Sequence, residues 1–175
     1  MRPAVDEATI RAVVRELARA AREPLRLYLT GGATAVLEGW RPSTLDIDLR
    51  LEPEDELVLR RLSEVKDAVD VNIELVSPPD FVPELPGWRG RSPFVFREGR
   101  IDVHHFDPYS QALSKVERGF EQDRADVAHM IETGLVEPGR LLELFTAVEG
   151  ELFRYPALDP ATLRAKVEDT IRPDR

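Results

Sequence analysis

Two aspartates stand two residues apart in Leu45-Asp46-Ile47-Asp48-Leu49, and thirteen residues separate them from the pair Gly31-Gly32. Residues i and i+2 of a strand project from one face, so the two carboxylates would lie side by side. Like charges so placed repel unless a cation sits between them, and Mg²⁺ or Mn²⁺ takes such carboxylates together with substrate phosphates. A glycine pair between a strand and a helix lets backbone approach a ligand closely and turns N–H groups toward it, as in a phosphate cradle. Alone, Gly-Gly reads as a turn and Asp-x-Asp as a solvated strand face. Together on consecutive strands they read as a metal and phosphate site.

The elements that must position these residues follow from the hydrophobic pattern. Residues 6–22 form an amphipathic helix behind an Asp6 cap, with Ile10, Val13, Val14, Leu17 and Ala21 as its stripe. Residues 25–30 read as a buried strand ended by the glycine pair, 33–38 as a short helix and 39–43 as a turn. The next strand places Leu45, Ile47, Leu49 and Leu51 on one face and Asp46, Asp48 and Arg50 on the other. Residues 53–68 are a second helix, striped by Val58, Leu62, Val65 and Val69, and residues 70–76 alternate again, burying Val71, Ile73 and Leu75. Residues 77–93 are a proline-rich loop, long enough to be a binding loop or lid. A hairpin turns at Glu98-Gly99 between 94–98 and 100–106, and helices follow at about 109–118, 120–133, 138–153 and 160–170. The class is α/β in an α+β arrangement, with a mixed-sheet core at residues 1–107 and a helical extension at 108–175 packed on it.

Composition narrows the chemistry. A chain of 175 residues with 42% hydrophobic and 33% charged residues is long enough for a substantial core without covalent staples. It has no cysteine, which removes disulfides, thiolate metal sites and a cysteine nucleophile. Its net charge of −9 argues against a coat of long nucleic acid, which works through phosphate neutralisation. The start carries no signal-peptide core and nothing approaches a membrane span, so a cytoplasmic protein is expected. Only three of its cations are lysines, Lys66, Lys115 and Lys166.

The hydrophobic strand, Gly31-Gly32 and Leu45-Asp46-Ile47-Asp48-Leu49 resemble the signature of the DNA polymerase β-type nucleotidyltransferase superfamily, with a gap at the long end of that family's spacing. Thr44–Leu49, Asn72–Phe81 and Gln111–Gly119 make the chain similar to bacterial nucleotidyltransferase-like proteins related to the AbiEii and MenT toxins, over about residues 25–137. The resemblance implies a nucleotidyltransferase-like core and a metal-dependent transfer of a nucleotidyl group from an NTP to a hydroxyl of an RNA, protein or small-molecule acceptor. It implies Asp46 and Asp48 as catalytic metal ligands, and a third carboxylate from a later strand, for which Asp102 in Ile101-Asp102-Val103 has the local pattern. Gly31, Gly32, Thr34 and Arg118 are assigned to the nucleotide. Lys115 and an acid on the next helix are assigned to catalysis. For that acid the arguments diverge: on an unbroken helix Asp126 would lie about 20° from Lys115 and Asp123 about 80°, whereas Gly119 breaks the helix and the family-like spacing favours Asp123, which is the acid assigned.

The acidic balance suits a small or protein acceptor better than long RNA, with a tRNA end still open. The alternative function is a non-catalytic nucleotide-binding or protein-interaction module of a toxin–antitoxin-type system, with a cognate antitoxin as its partner. The leucine-rich stretch around Leu141, Leu142, Leu144, Phe145 and Leu152 would serve its own domain or a second copy equally. His104 and His105, adjacent on a strand, point to opposite faces and cannot share one ion. Trp40, Trp88, Phe94 and Phe96 read as packing anchors, and the chain has neither a Walker loop nor a nucleophile elbow.

Overall fold

A computed structural model describes residues 3–172. Contacts divide the chain into two compact units, Met1–Ser77 with Ser92–Phe106, and Pro78–Arg91 with Asp107–Arg175. The class is α+β.

The first unit is a five-stranded mixed sheet with helices on one face. Its elements in chain order are α1 (Glu7–Ala18), β1 (Leu25–Thr30), α2 (Gly32–Leu37), β2 (Asp46–Glu52), α3 (Glu56–Val69), β3 (Asn72–Glu74), β4 (Phe94–Glu98) and β5 (Ile101–His105). The strand order is β3-β2-β1-β5-β4, with β1 antiparallel to β2 and parallel to β5, β2 parallel to β3, and β4 antiparallel to β5. Asp6 caps α1 by accepting the Thr9 N–H at 2.8 Å, and Asp55 caps α3 through the N–H groups of Leu57 and Val58. Ile10, Val13, Val14 and Leu17 of α1 and Val58, Leu62 and Val65 of α3 close the core over Leu27, Leu29, Ile47, Leu49, Ile73, Ile101 and Val103. Period-2 alternation then forces Tyr28, Thr30, Asp46, Asp48, Asn72, Glu74, Asp102 and His104 onto the opposite face.

Three expectations fail at element ends. Leu45 is 69% exposed because the ladder of β2 begins at Asp46, and Leu75 is 52% exposed because β3 ends at Glu74. Val69 is 42% exposed in the last turn of α3. An alternating pattern marks a face but not where strand pairing stops.

The second unit is helical. It contains α4 (Trp88–Arg91), α5 (Pro108–Arg118), α6 (Glu121–Glu132), α7 (Pro138–Val148) and α8 (Pro160–Ile171). The stretch 138–153 is not one helix: α7 stops at Val148 and 3-10 turns continue over Glu149–Arg154. The proline-rich segment buries Val82, Leu85 and Trp88, and Arg91 pairs with the buried Asp107 carboxylate at 2.6 and 3.1 Å. Leu141, Leu144, Phe145 and Leu152 are buried within the chain itself.

His105 of β5 is buried, with Nε2 2.9 Å from Glu38 Oε1 at the end of α2. Burial lowers its pKa below 6.5, and the Glu38 carboxylate opposes that shift only in part. The folded state therefore binds this proton less readily than the unfolded chain, so stability is full above pH 6.5 and falls as pH drops toward the folded value. Urea unfolding between pH 7.5 and 5.5 is expected to show this loss, bounded by about 1.4 kcal/mol per pH unit for one proton. The slope is expected to flatten in His105→Phe, and an unchanged slope would contradict the assignment.

Candidate functional site on the sheet face

The junction between β1 and α2 has no room for side chains. A Cβ on Gly32 would lie 2.0 Å from Thr44 Oγ1 and 2.6 Å from Thr44 Cβ, far inside van der Waals contact. Gly31 has φ +63°, in the left-handed region that favours glycine, and a Cβ there would meet Asp48 Oδ2 at 3.1 Å. The Asp48 carboxylate thus rests directly over the glycine backbone. Thr44 is fixed from its other side by paired hydrogen bonds with Val5, at 2.8 and 2.9 Å. Because α2 has only six residues, the close approach of this backbone matters more than any helix dipole. Thr34 is buried one turn on and its Oγ1 donates to the Leu29 carbonyl at 3.3 Å, bracing the turn.

Asp46 and Asp48 are half-buried on the sheet face opposite the core. Strand β3 runs parallel beside them, in register Asp46 with Asn72 and Asp48 with Glu74. Asn72 Nδ2 donates to Asp46 Oδ1 at 2.8 Å and to Glu74 Oε1 at 2.7 Å, holding two carboxylates apart with one amide. A third carboxylate, Glu74, therefore stands in the same patch. Sequence reasoning did not select Thr44, Asn72 or Glu74 as site residues. The available signal was that Asn72-Ile73-Glu74 repeats the polar-apolar-polar order of Asp46-Ile47-Asp48; the parallel α3 crossover that aligns them is a tertiary fact.

Asp102 lies on the same face but is not brought to this patch. It is in register with Arg26, whereas Asp48 is in register with Thr30, four residues away or about 13 Å along the strand. Arg97 grips its carboxylate at 2.5 and 3.0 Å, and that hydrogen bonding holds its pKa below the usual carboxylate range. Next to it, His104 is fixed by Nδ1 at 3.0 Å from the Ser92 carbonyl and by ring contacts with Tyr28 and Phe94.

The donor set at Asp46 and Asp48 fits a hard divalent cation. Mg²⁺ is commonly held by one or two carboxylates with substrate phosphates and water completing its shell, and Asp48 Oδ2 here adjoins the glycine turn. Among the described residues no group of three or more His, Asp or Glu side chains is gathered as a ready-made cage. Asp46 and Asp48 therefore offer a two-carboxylate edge, and Glu74, exposed beside them, does not converge with them into a group of three.

In the helical unit, α5 ends at Gly119 with φ +70° and α6 begins at Glu121, as the glycine break requires. The returning α6 brings Asp126 Oδ2 to 2.7 Å from Lys115 Nζ, with Asp123 Oδ1 at 3.9 Å. Asp123 is gripped instead by Arg118, at 2.5 and 2.9 Å, and accepts the Phe120 N–H at 3.3 Å. Gln122 donates to the other Asp126 oxygen at 3.2 Å. Lys115, Asp123 and Asp126 are all nearly water-free, so their charges are stable only as a set. Replacing Lys115 by Met is expected to cost about 3–5 kcal/mol. Adding Asp126→Leu should recover part of that, giving a coupling of about 1–3 kcal/mol in denaturant unfolding. Strict additivity would show that the pair does not interact.

Among the described residues no helix is long and apolar enough to cross a membrane. No curated protein and no solved structure matches the chain. Residues 8–158 match the model of a family described as "Nucleotidyltransferase of unknown function (DUF6036)". With a tight Gly-Gly turn against paired strand carboxylates, and most of its length matched, the chain belongs to this nucleotidyltransferase family.

Proposed function

We propose that the protein catalyses metal-dependent transfer of a nucleotidyl group from an NTP to a hydroxyl, on the sheet face formed by Gly31-Gly32, Asp46 and Asp48. The observation that carries this reading is that Asp48 Oδ2 stands where a side chain on Gly31 would have to go, which sets the Asp-x-Asp pair beside the glycine turn. Backbone N–H groups of the glycine junction would bind phosphate oxygens, and Thr34 and Thr44 would keep that junction from opening. Asp46 and Asp48 would hold Mg²⁺ or Mn²⁺, which supplies neutralisation of the phosphates and a lower pKa for the attacking hydroxyl. Asn72 orients Asp46 through its amide, in the manner of an outer-shell partner.

In the proposed reaction the acceptor oxygen forms a bond to the α-phosphorus of the NTP while the bond from that phosphorus to the β-phosphate oxygen breaks, releasing pyrophosphate. The hydroxyl proton passes to a carboxylate of the same face and then to solvent. The −9 net charge favours a small molecule or a protein as acceptor, with an RNA end such as that of tRNA the next choice. A toxin-like role with a cognate antitoxin is the biological setting that the sequence resemblance suggests. Lys115, Arg118, Asp123 and Asp126 compensate one another's charge, and the proposal rests on none of them.

The test is to incubate the protein with each α-labelled NTP and Mg²⁺, offering itself, total protein and tRNA as acceptors. Label transfer from one NTP with pyrophosphate release is expected, falling at least about 100-fold in Asp46→Asn and in Asp48→Asn while circular dichroism is unchanged. Transfer that survives both substitutions would overturn the assignment. NTP binding without transfer would favour the nucleotide-binding module instead.

A further inference from the structure

A cleft of about 510 Å³ opens within the helical unit between α5, α6 and α8. That volume lies in the range of small-molecule sites, about 300–1,000 Å³. One side is apolar, built from Val116 of α5 and Val127, Ala128 and Ile131 of α6. Arg124, on the same α6 face as Val127, Ala128 and Ile131, and Lys166 of α8 also line it. These two cations have an unusual status. Arg124 Nε donates to the Gly119 carbonyl at 3.0 Å and Lys166 Nζ to the Glu117 carbonyl at 2.6 Å, so each is anchored by backbone at the end of α5. Among the described residues neither forms an ion pair with a carboxylate, although the chain as a whole is strongly acidic.

The acids that line the cleft are committed elsewhere. Asp123 is held by Arg118, and Asp169 faces Arg172 at 3.2 Å. Lys115, at the inner end, is held by Asp126. The uncompensated charge at the cleft is thus positive and adjoins an apolar wall. Lysine or arginine at a helix C-terminus is ordinary capping, and one such cation would satisfy the α5 end. Two of them, on different helices and both facing the same apolar cleft, serve a capping role and leave an anion site.

From this we infer that the cleft binds a small amphipathic organic anion, its apolar body of one or two rings against Val127 and Ile131 and its acidic group against Arg124 and Lys166. The inference is independent of the sheet-face reading, since no residue of that face takes part.

Fluorescence titration of the full chain with anilinonaphthalene sulfonate tests it, beside phenylnaphthylamine, which has the same rings without the charge. One sulfonate probe per chain is expected, bound at least about tenfold more tightly than the neutral probe and weakened at least about tenfold by Arg124→Met and by Lys166→Met. Ala128→Trp, from an exposed position on the wall, should fill the cleft and abolish binding without using either cation, and Arg140→Met should change nothing. Displacement by phenyl phosphate or by benzoate then separates a phosphate-ester ligand from a carboxylate. The inference is overturned if the sulfonate probe fails to bind, if both probes bind alike, or if Ala128→Trp leaves binding intact in a folded protein.

Discussion

A backbone contact that tolerates no Cβ governs the sheet face. Gly32 abuts the Thr44 side chain, and Gly31 lies under the Asp48 carboxylate, so the turn leaving β1 has no room for side chains of its own against the entry to β2. The contact fixes where α2 begins and where the Asp48 oxygens stand relative to the turn. Close packing of this kind is stiff, because every neighbour would have to move to admit one methyl group. Asp46 is then set two residues upstream by strand geometry alone, and β3 adds Asn72 and Glu74 through its parallel register.

Charge is handled in opposite ways in the two units. On the sheet face Asp46 and Asp48 are half-buried, and Asp46 shares one neutral amide donor, Asn72, with Glu74. In the helical unit Lys115, Asp123 and Asp126 are almost fully buried and matched cation to anion, with Arg118 completing the set. Burial of matched charge is costly and is stable only when geometry is good, so that cluster explains the α5–α6 turn at Gly119 more directly than it explains chemistry. Arg124 and Lys166 depart from this matching and give the helical cleft its positive charge.

Much of this was legible in local pattern. β1 ends where Gly31-Gly32 begins, the Asp-x-Asp strand alternates as written, and Gly119 breaks the helix after Lys115. Pattern failed where the answer depends on pairing partners. Leu45 and Leu75 continue an alternation that the three-residue β3 is too short to cover. Asp102 and Glu74 both look locally like an acid on a strand, and only the register of β3 with β2 and of β5 with β1 distinguishes which stands beside Asp48. Likewise, the choice between Asp123 and Asp126 as partner of Lys115 turned on how α6 folds back, which angular arithmetic on one helix does not describe.

The most direct test of the sheet-face account is the Mg²⁺-dependent thermal shift of the full chain with each NTP, compared with the same shift in the Asp46→Asn/Asp48→Asn variant. A ligand at 100 times its Kd stabilises the native state by about 2.7 kcal/mol, or about 5 °C or more for a chain of this size. The account predicts such a shift for at least one NTP with Mg²⁺ and its loss in the variant. A shift of equal size in both proteins, or none with any NTP, would contradict it.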